Sequence, residues 1–281
     1  MIVVTGATGN VGRSLVQVLA AGGERVSATS RSITDADVPE GVRHRAADLT
    51  DAESLRPVFD GADALFLQNG GASAHLLNPH EILDVAKAGG VGRVVLLSSQ
   101  GVATRPQSAS HGETARTIEE AVRESGMTWT ILRPGGFHSN AYAWAETVRA
   151  HRSVAAPFGD VGLPTVDPDD IAEVAAVALR EDGHDGRIYE LTGPAPNTPR
   201  ERAAAIGDAL GEPVRFIEQT REEAREQMLR FMPEPVVETT LAILGEPTGA
   251  EQRVSPDVDR VLGRAPGTFA DWSRRYVAAF R

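Results

Sequence analysis

The run Thr5-Gly6-Ala7-Thr8-Gly9-Asn10-Val11-Gly12 constrains this chain more than any other feature. Its glycines, spaced GxxGxxG, follow the short apolar run from Ile2 to Thr5. They open a segment in which Val11, Leu15, Val18 and Leu19 fall on one helical face until Gly22-Gly23 stops it. A strand, a glycine turn and a helix in that order is the setting in which this spacing holds a dinucleotide. Gly6 allows the tight turn, Gly9 removes the side chain that would block a pyrophosphate, and Gly12 lets helix and strand pack closely. The N–H groups that open the helix attract phosphate, with Thr8, Asn10 and Val11 completing the cradle. The alternative is a glycine-rich turn without a ligand.

The first two thirds of the chain alternate short β-branched runs with helical patterns, which marks a parallel sheet with crossover helices. Strands are predicted from Ile2 to Thr5, Arg25 to Ser30, Val42 to Ala46, Ala64 to Gln68, Val94 to Ser98, Thr128 to Leu132 and Ile188 to Thr192. Helices are predicted notably from His80 to Ala88, Thr114 to Ser125 and Asp169 to Arg180. The fold class is therefore α/β, a Rossmann-like doubly wound parallel sheet. Further on, a helix from Glu201 to Leu210, a strand from Val214 to Glu218 and a charged helix from Arg221 to Phe231 precede a Pro- and Gly-punctuated run from Pro233 to Gly267. Residues 1–136 plus about 165–194 are expected to form an NADP-binding domain. Residues about 137–164 plus 195–281 are expected to form a smaller, discontinuous substrate-binding region over the carboxyl ends of the strands.

A length of 281 residues fits one large domain or two closely joined ones. The absence of cysteine excludes disulfide scaffolds, thiolate zinc sites and cysteine nucleophiles. The scattered histidines are not spaced for a metal. A net charge of −11 disfavours nucleic acid or an anionic membrane as a partner. No apolar run reaches the ~18 residues of a membrane span, and no basic leader precedes the first strand, so a soluble cytoplasmic protein is expected, as a monomer or homodimer. An anionic cofactor then needs local attraction. At the end of the second strand stand Thr29, Ser30, Arg31 and Ser32, with no carboxylate before Asp35. Arg31 therefore argues for NADPH rather than NADH. Asp48 and Leu49 are expected to flank the adenine, unless Asp48 only caps the following turn. Gln68, Asn69 and Gly70 are expected at the ribose on the nicotinamide side. Pro134, Gly135, Gly136 and Phe137 are expected to bring backbone near the nicotinamide ring.

The opening TGATGNVG, the run Asp48-Leu49-Thr50-Asp51, Ser98-Ser99, the stretch Ser125 to Pro134 and Tyr189-Glu190-Leu191-Thr192-Gly193 together resemble an atypical short-chain dehydrogenase/reductase. More narrowly, the chain is similar to the NmrA-like group, which includes NADPH-dependent quinone reductases, triphenylmethane reductases and NADP-sensing regulators. The resemblance spans essentially the whole chain and implies the cofactor more strongly than the reaction. Typical members of the wider family carry a Tyr and, four residues later, a Lys that lowers the tyrosine pKa. With Glu119 matched to the family's following Glu, Ala115 falls at the Lys position and His111 at the Tyr position. Lys87 is the single lysine in the chain, and Leu83 precedes it by four.

Three readings follow. Hydride passes from NADPH to an acceptor, such as a quinone, whose developing oxyanion needs only hydrogen bonds or water. Alternatively His111 replaces the Tyr as proton donor to a ketone or enone. In the third reading the protein is a non-catalytic NADP(H) sensor. Ser98 or Ser99 keeps the family's serine at the end of the fifth strand, and both are also expected beside the cofactor. Phe137, His138, Asn140, Tyr142 and Trp144 read either as a pocket wall for a small aromatic or quinone-like substrate, with Asn140 or Tyr142 bonding its oxygens, or as ordinary core. Met228, Phe231 and Met232 read either as a flexible lid or as packing against the sheet domain.

Overall fold

The structure is a computed structural model and describes residues 1–68 and 75–281. Seven strands form one wholly parallel sheet: β1 (Ile2–Thr5), β2 (Val26–Ser30), β3 (Arg43–Ala46), β4 (Ala64–Gln68), β5 (Arg93–Leu97), β6 (Thr128–Pro134) and β8 (Arg187–Leu191). Their order is β3-β2-β1-β4-β5-β6-β8. The chain winds outward in one direction from β1 to β3 and in the other from β4 to β8. That reversal opens a crevice at the carboxyl ends of β1 and β4.

Both faces of the sheet are covered, and strand alternation decides which residue goes where. Val4, Phe66 and Val95 pack with Leu15 and Leu19 of α1 (Asn10–Ala21) and with Ile171 and Leu179 of α7 (Pro168–Arg180). Val3, Leu65, Leu96 and Ile131 face the other way, against α2 (Ala52–Phe59), α3 (Pro79–Ala88) and α5 (Thr114–Glu124). The edge strand β3 reads Arg-His-Arg-Ala and is largely exposed, a charged edge that discourages pairing with another chain.

A separate core lies in the chain's later part. Ser153–Pro157 forms β7, which the sequence reading missed, and it pairs in parallel with β9 (Arg215–Gln219). Around this pair, α6 (Ala145–His151), α8 (Pro199–Leu210) and α12 (Phe269–Arg275) bury Ala141, Val148, Ile206, Trp272 and Phe280. The run from Pro233 to Gly267 is more regular than its Pro and Gly content suggested. It holds α10 (Glu234–Gly245) and α11 (Asp257–Leu262), because Pro235 sits in the first helical turn, where its missing N–H costs nothing. Helix α9 (Arg221–Met228) is shorter than expected. Met228 and Met232 pack with Phe158 on Val237 and Leu241 of α10, while Phe231 is exposed. Among the described residues no helix is long and apolar enough to cross a membrane.

Candidate active site

The turn between β1 and α1 has the geometry its glycines imply. Gly6 has φ +60, and a Cβ there would run into the Gln68 side chain at 1.8 Å. A Cβ on Gly12 would meet the Gly6 carbonyl oxygen at 2.2 Å, so only glycine lets α1 pass this close to the turn. Helix α1 begins at Gly9 with no side-chain cap and no acidic residue in its first turn. By contrast Asp51, Asn78, Asp167 and Thr198 cap α2, α3, α7 and α8 from their own side chains. The first N–H groups of α1, from Asn10, Val11 and Gly12, have no partner in their own helix, and the helix dipole adds positive potential at the same place.

A cavity of about 450 Å³ opens from this turn, lined by Gly6, Thr8, Gly9, Ser30, Arg31, Ser32, Asp48, Leu49, Gln68 and neighbours. The expected adenosine-side residues are thus brought together. Ser30 lines this cavity, and its buried hydroxyl has no hydrogen-bond partner among the described residues. An orphaned hydroxyl beside Arg31 and an uncapped helix start fit a bound dinucleotide, whose hydroxyls and phosphates would supply the missing partners. Sequence reading noted Ser30 only as a neighbour of Arg31; its flanking position was the available signal. Asp48 is partly committed to its own turn, accepting from the Thr50 N–H and hydroxyl at 2.9 Å each, which holds its carboxyl below the ordinary carboxylate range. Asn69 and Gly70 lie outside the described residues.

At the ends of β5 and β6 the expected residues divide. Ser98 is buried and its hydroxyl donates to Glu119 of α5 at 2.6 Å. Arg133 of β6 and Arg123 bind the same carboxylate, at 2.6 and 2.7 Å. Burial alone would raise Glu119; hydrogen bonds from Arg133 and Ser98, with the charges of both arginines, bring it below its ordinary value. Ser98 therefore anchors α5 to the sheet instead of presenting its proton to the crevice. Ser99 is half-buried and accepts, at 3.1 Å, the N–H of Gly101, which opens the short helix α4 (Gly101–Thr104). The Pro134–Phe137 turn is fixed by its carbonyls, with Gln100 N–H donating to Pro134 and Val166 N–H to Gly136. Gly136 is exposed and Phe137 half-buried.

The segment from His138 to Trp144 is a 3-10 helix, with His138 buried and Tyr142 and Trp144 half-buried against the later core. His138 is fully buried, its Nδ1 paired with the Thr165 hydroxyl at 2.8 Å and its Nε2 facing the Gly267 carbonyl at 3.4 Å. Tyr142 packs on Trp272 and Phe280, with centroids 5.1 and 6.1 Å away. It also borders a cavity of about 290 Å³ with Thr8, Asn10, Arg13, Ser139 and Tyr276. Asn140 is exposed. Asn10 donates to the Ser139 hydroxyl at 3.0 Å, a direct link between the phosphate turn and this segment that no local motif signals.

His111 lies in a single π-helical turn, Ala109–Glu113, ahead of α5. Its Nδ1 pairs with the Ser110 hydroxyl at 2.8 Å and its Nε2 lies 3.5 Å from Thr240 Oγ1 of α10. Burial lowers its pKa below the ordinary imidazole value, so the ring is neutral near pH 7. Lys87 is on α3 and donates to the Ser125 carbonyl at 2.9 Å.

A doubly wound parallel sheet with an uncapped helix start, a glycine cradle and an orphaned hydroxyl beside Arg31 marks a dinucleotide-binding protein. The sequence profile of the NAD(P)H-binding family matches residues 6–182, and the chain belongs to that family. It is 35% identical to the (4-alkanoyl-5-oxo-2,5-dihydrofuran-3-yl)methyl phosphate reductase of Streptomyces griseus, over 100% of this chain and 99% of the relative. It is 31% identical to the NAD(P)H azoreductase of Xenophilus azovorans, again over 100% of this chain and 99% of the relative. In fold it matches the NADPH-dependent quinone oxidoreductase of Escherichia coli complexed with NADPH, with a TM-score of 0.81, 23% identity and coverage of 98% of this chain and 99% of the other. The same fold is found in NmrA, a negative transcriptional regulator, with a TM-score of 0.74, 18% identity and coverage of 99% of this chain and 95% of the other.

Proposed function

We propose that this chain is an NADPH-dependent reductase that passes hydride to a quinone-like or other conjugated acceptor without a Tyr/Lys acid pair. The observation that carries the reading is the hydroxyl and guanidinium set at the end of β2. Ser30, Arg31 and Ser32 line one cavity with no carboxylate after β2 before Asp35, and Asp48 across that cavity is held by Thr50, a set that suits a 2′-phosphate better than a ribose hydroxyl. The relatives named for azo and oxo-dihydrofuran compounds support a conjugated acceptor.

When bound, the nicotinamide supplies the hydride. The chain's own residues hold and orient. The start of α1 takes the pyrophosphate, Arg31 and Ser30 the 2′-phosphate, and the Gly135-Gly136 turn leaves room for a flat ring. Ser99, whose oxygen accepts the Gly101 N–H, has no acceptor for its own proton among the described residues and can donate it toward an acceptor oxygen as negative charge develops. Water completes the protonation. His111 bonds Ser110 and faces α10, which supports a packing role over that of a proton donor.

The test is to follow NADPH oxidation by the purified protein with a panel of quinones and azo compounds. Turnover is expected, and it should survive His111→Ala at pH 7 within about threefold. Tight NADPH binding with no turnover on any acceptor would favour the sensor reading instead. For the cofactor, Arg31→Asp should shift the NADPH-to-NADH preference in kcat/KM by about tenfold or more. An unchanged preference would remove the assignment to NADPH.

A further inference from the structure

We propose that Arg202 anchors a subsite for a small oxyanion, a phosphate monoester or carboxylate group carried by the substrate; this deepens the reductase reading and rests on it. Among the described residues the buried charged side chains are Glu119, Asp167, Asp170, Glu251 and Arg202. Each of the four carboxylates meets an arginine: Glu119 meets Arg123 and Arg133, Asp167 meets Arg275, Asp170 meets Arg264 and Glu251 meets Arg105. Arg202 is 8% exposed, and its Nε is enclosed without any hydrogen-bond partner among the described residues. Burial alone, with no opposing carboxylate, lowers its pKa to about 10.

The indole of Trp144 lies 5.2 Å from the guanidinium carbon. A ring face of this kind offsets part of the desolvation, but it leaves the in-plane N–H donors unused. A buried guanidinium without a counter-ion is unfavourable, and a two-oxygen anion is the ligand its planar fork fits best.

The position separates this charge from the cofactor's own phosphates, which have the start of α1 and Arg31. Arg202 lies in the first turns of α8, against Trp144 at the end of the 3-10 segment that leaves β6. Its charge reaches His138 at the start of that segment. A neutral quinone would leave the guanidinium unpaired. An acceptor bearing a phosphate or carboxylate would complete it.

Thermal unfolding of the full chain saturated with NADP+, so that the dinucleotide site is filled, tests this with inorganic phosphate and acetate as probes. One of the two should raise the Tm of the wild type, naming the group. It should be at least about tenfold less effective on Arg202→Met, whose unbranched chain retains packing on Trp144. Without either probe, Arg202→Met should melt at or above the wild type, since it removes an uncompensated buried charge. A clear fall in Tm would make Arg202 a structural residue and overturn the proposal. In turnover, the preference for a carboxylated naphthoquinone over its uncharged parent should drop about tenfold in Arg202→Met, through KM. A wild type that responds to neither probe, or a variant with undiminished preference, also overturns it. If no acceptor is reduced while Arg202-dependent anion binding persists, the reductase reading fails and the subsite stands.

Discussion

His138 and Asp167 both touch the Gly267 loop, and burial drives their titrations in opposite senses. Burial lowers His138 from 6.5 to about 4 against the pull of the Gly267 carbonyl, with Arg202 and Arg275 adding to the effect. Its folded pKa lies below its unfolded one, so its contribution is complete above pH 6.5 and is lost as pH falls toward 4. Burial raises Asp167 from 3.8 to about 6 despite the contact with Arg275. Its contribution is complete below pH 3.8 and is lost as pH rises through 6. Urea titrations across pH 4 to 7 should therefore separate the two. The stability advantage of wild type over His138→Asn should narrow by about 3 kcal/mol on acidification, and its advantage over Asp167→Asn should narrow by a similar amount on raising the pH. Parallel pH profiles for the two variants would contradict this account.

Helix α5 is held to the sheet through one buried carboxylate. Glu119 collects Ser98 from the end of β5, Arg133 from β6 and Arg123 from its own helix. Glu119→Gln leaves two guanidinium groups facing a neutral amide in a site with little water, and should cost about 3–5 kcal/mol by urea denaturation. Ser98→Ala removes only one donor to a charged acceptor and should cost about 1.5–3 kcal/mol. A Glu119→Gln variant as stable as the wild type would mean the network carries no weight. The same elements show what a sequence makes legible. Short β-branched runs placed the seven strands of the main sheet within a residue or two, because its central strands are buried on both faces and read as continuous apolar runs. The β7 run Ser153-Val-Ala-Ala-Pro157 is short, Ala-rich and ended by proline, and it pairs with β9 some sixty residues later, so no local signal marks it. Helix α10 was hidden by Pro235, a breaker only when it falls inside a helix. The cradle residues were readable because they are contiguous. The partners of Ser98 and Asn10 were not, since tertiary packing alone brings Glu119 and Ser139 to them.

Across the whole molecule, α1 is wired to the C-terminal segment. Asn10 bonds Ser139, and Ser14 bonds Asp169 at 2.7 Å. Tyr276 also donates to Asp169, at 2.8 Å, and Arg275 reaches Asp167. Helices α1, α7 and α12 thus share one set of polar contacts at the mouth of the crevice. Filling the dinucleotide site should slow amide exchange in α12 and in the 138–144 segment as well as in α1. Protection confined to α1 and β2 would show that the contacts transmit nothing. The unpaired start of α1 also links stability and ligand binding. Gly9 has the backbone of an ordinary helix cap, at φ −81 and ψ 175, so Ser or Asp there could close the helix with its own oxygen, but the gain over glycine is at most about a few tenths of a kcal/mol and is opposed by the Gly6 carbonyl oxygen, 3.2 Å from where the new Cβ would sit. That oxygen would occupy the place of the cofactor's phosphate. A cap at Gly9 would therefore exchange an open anion site for little or no gain in the stability of the empty protein.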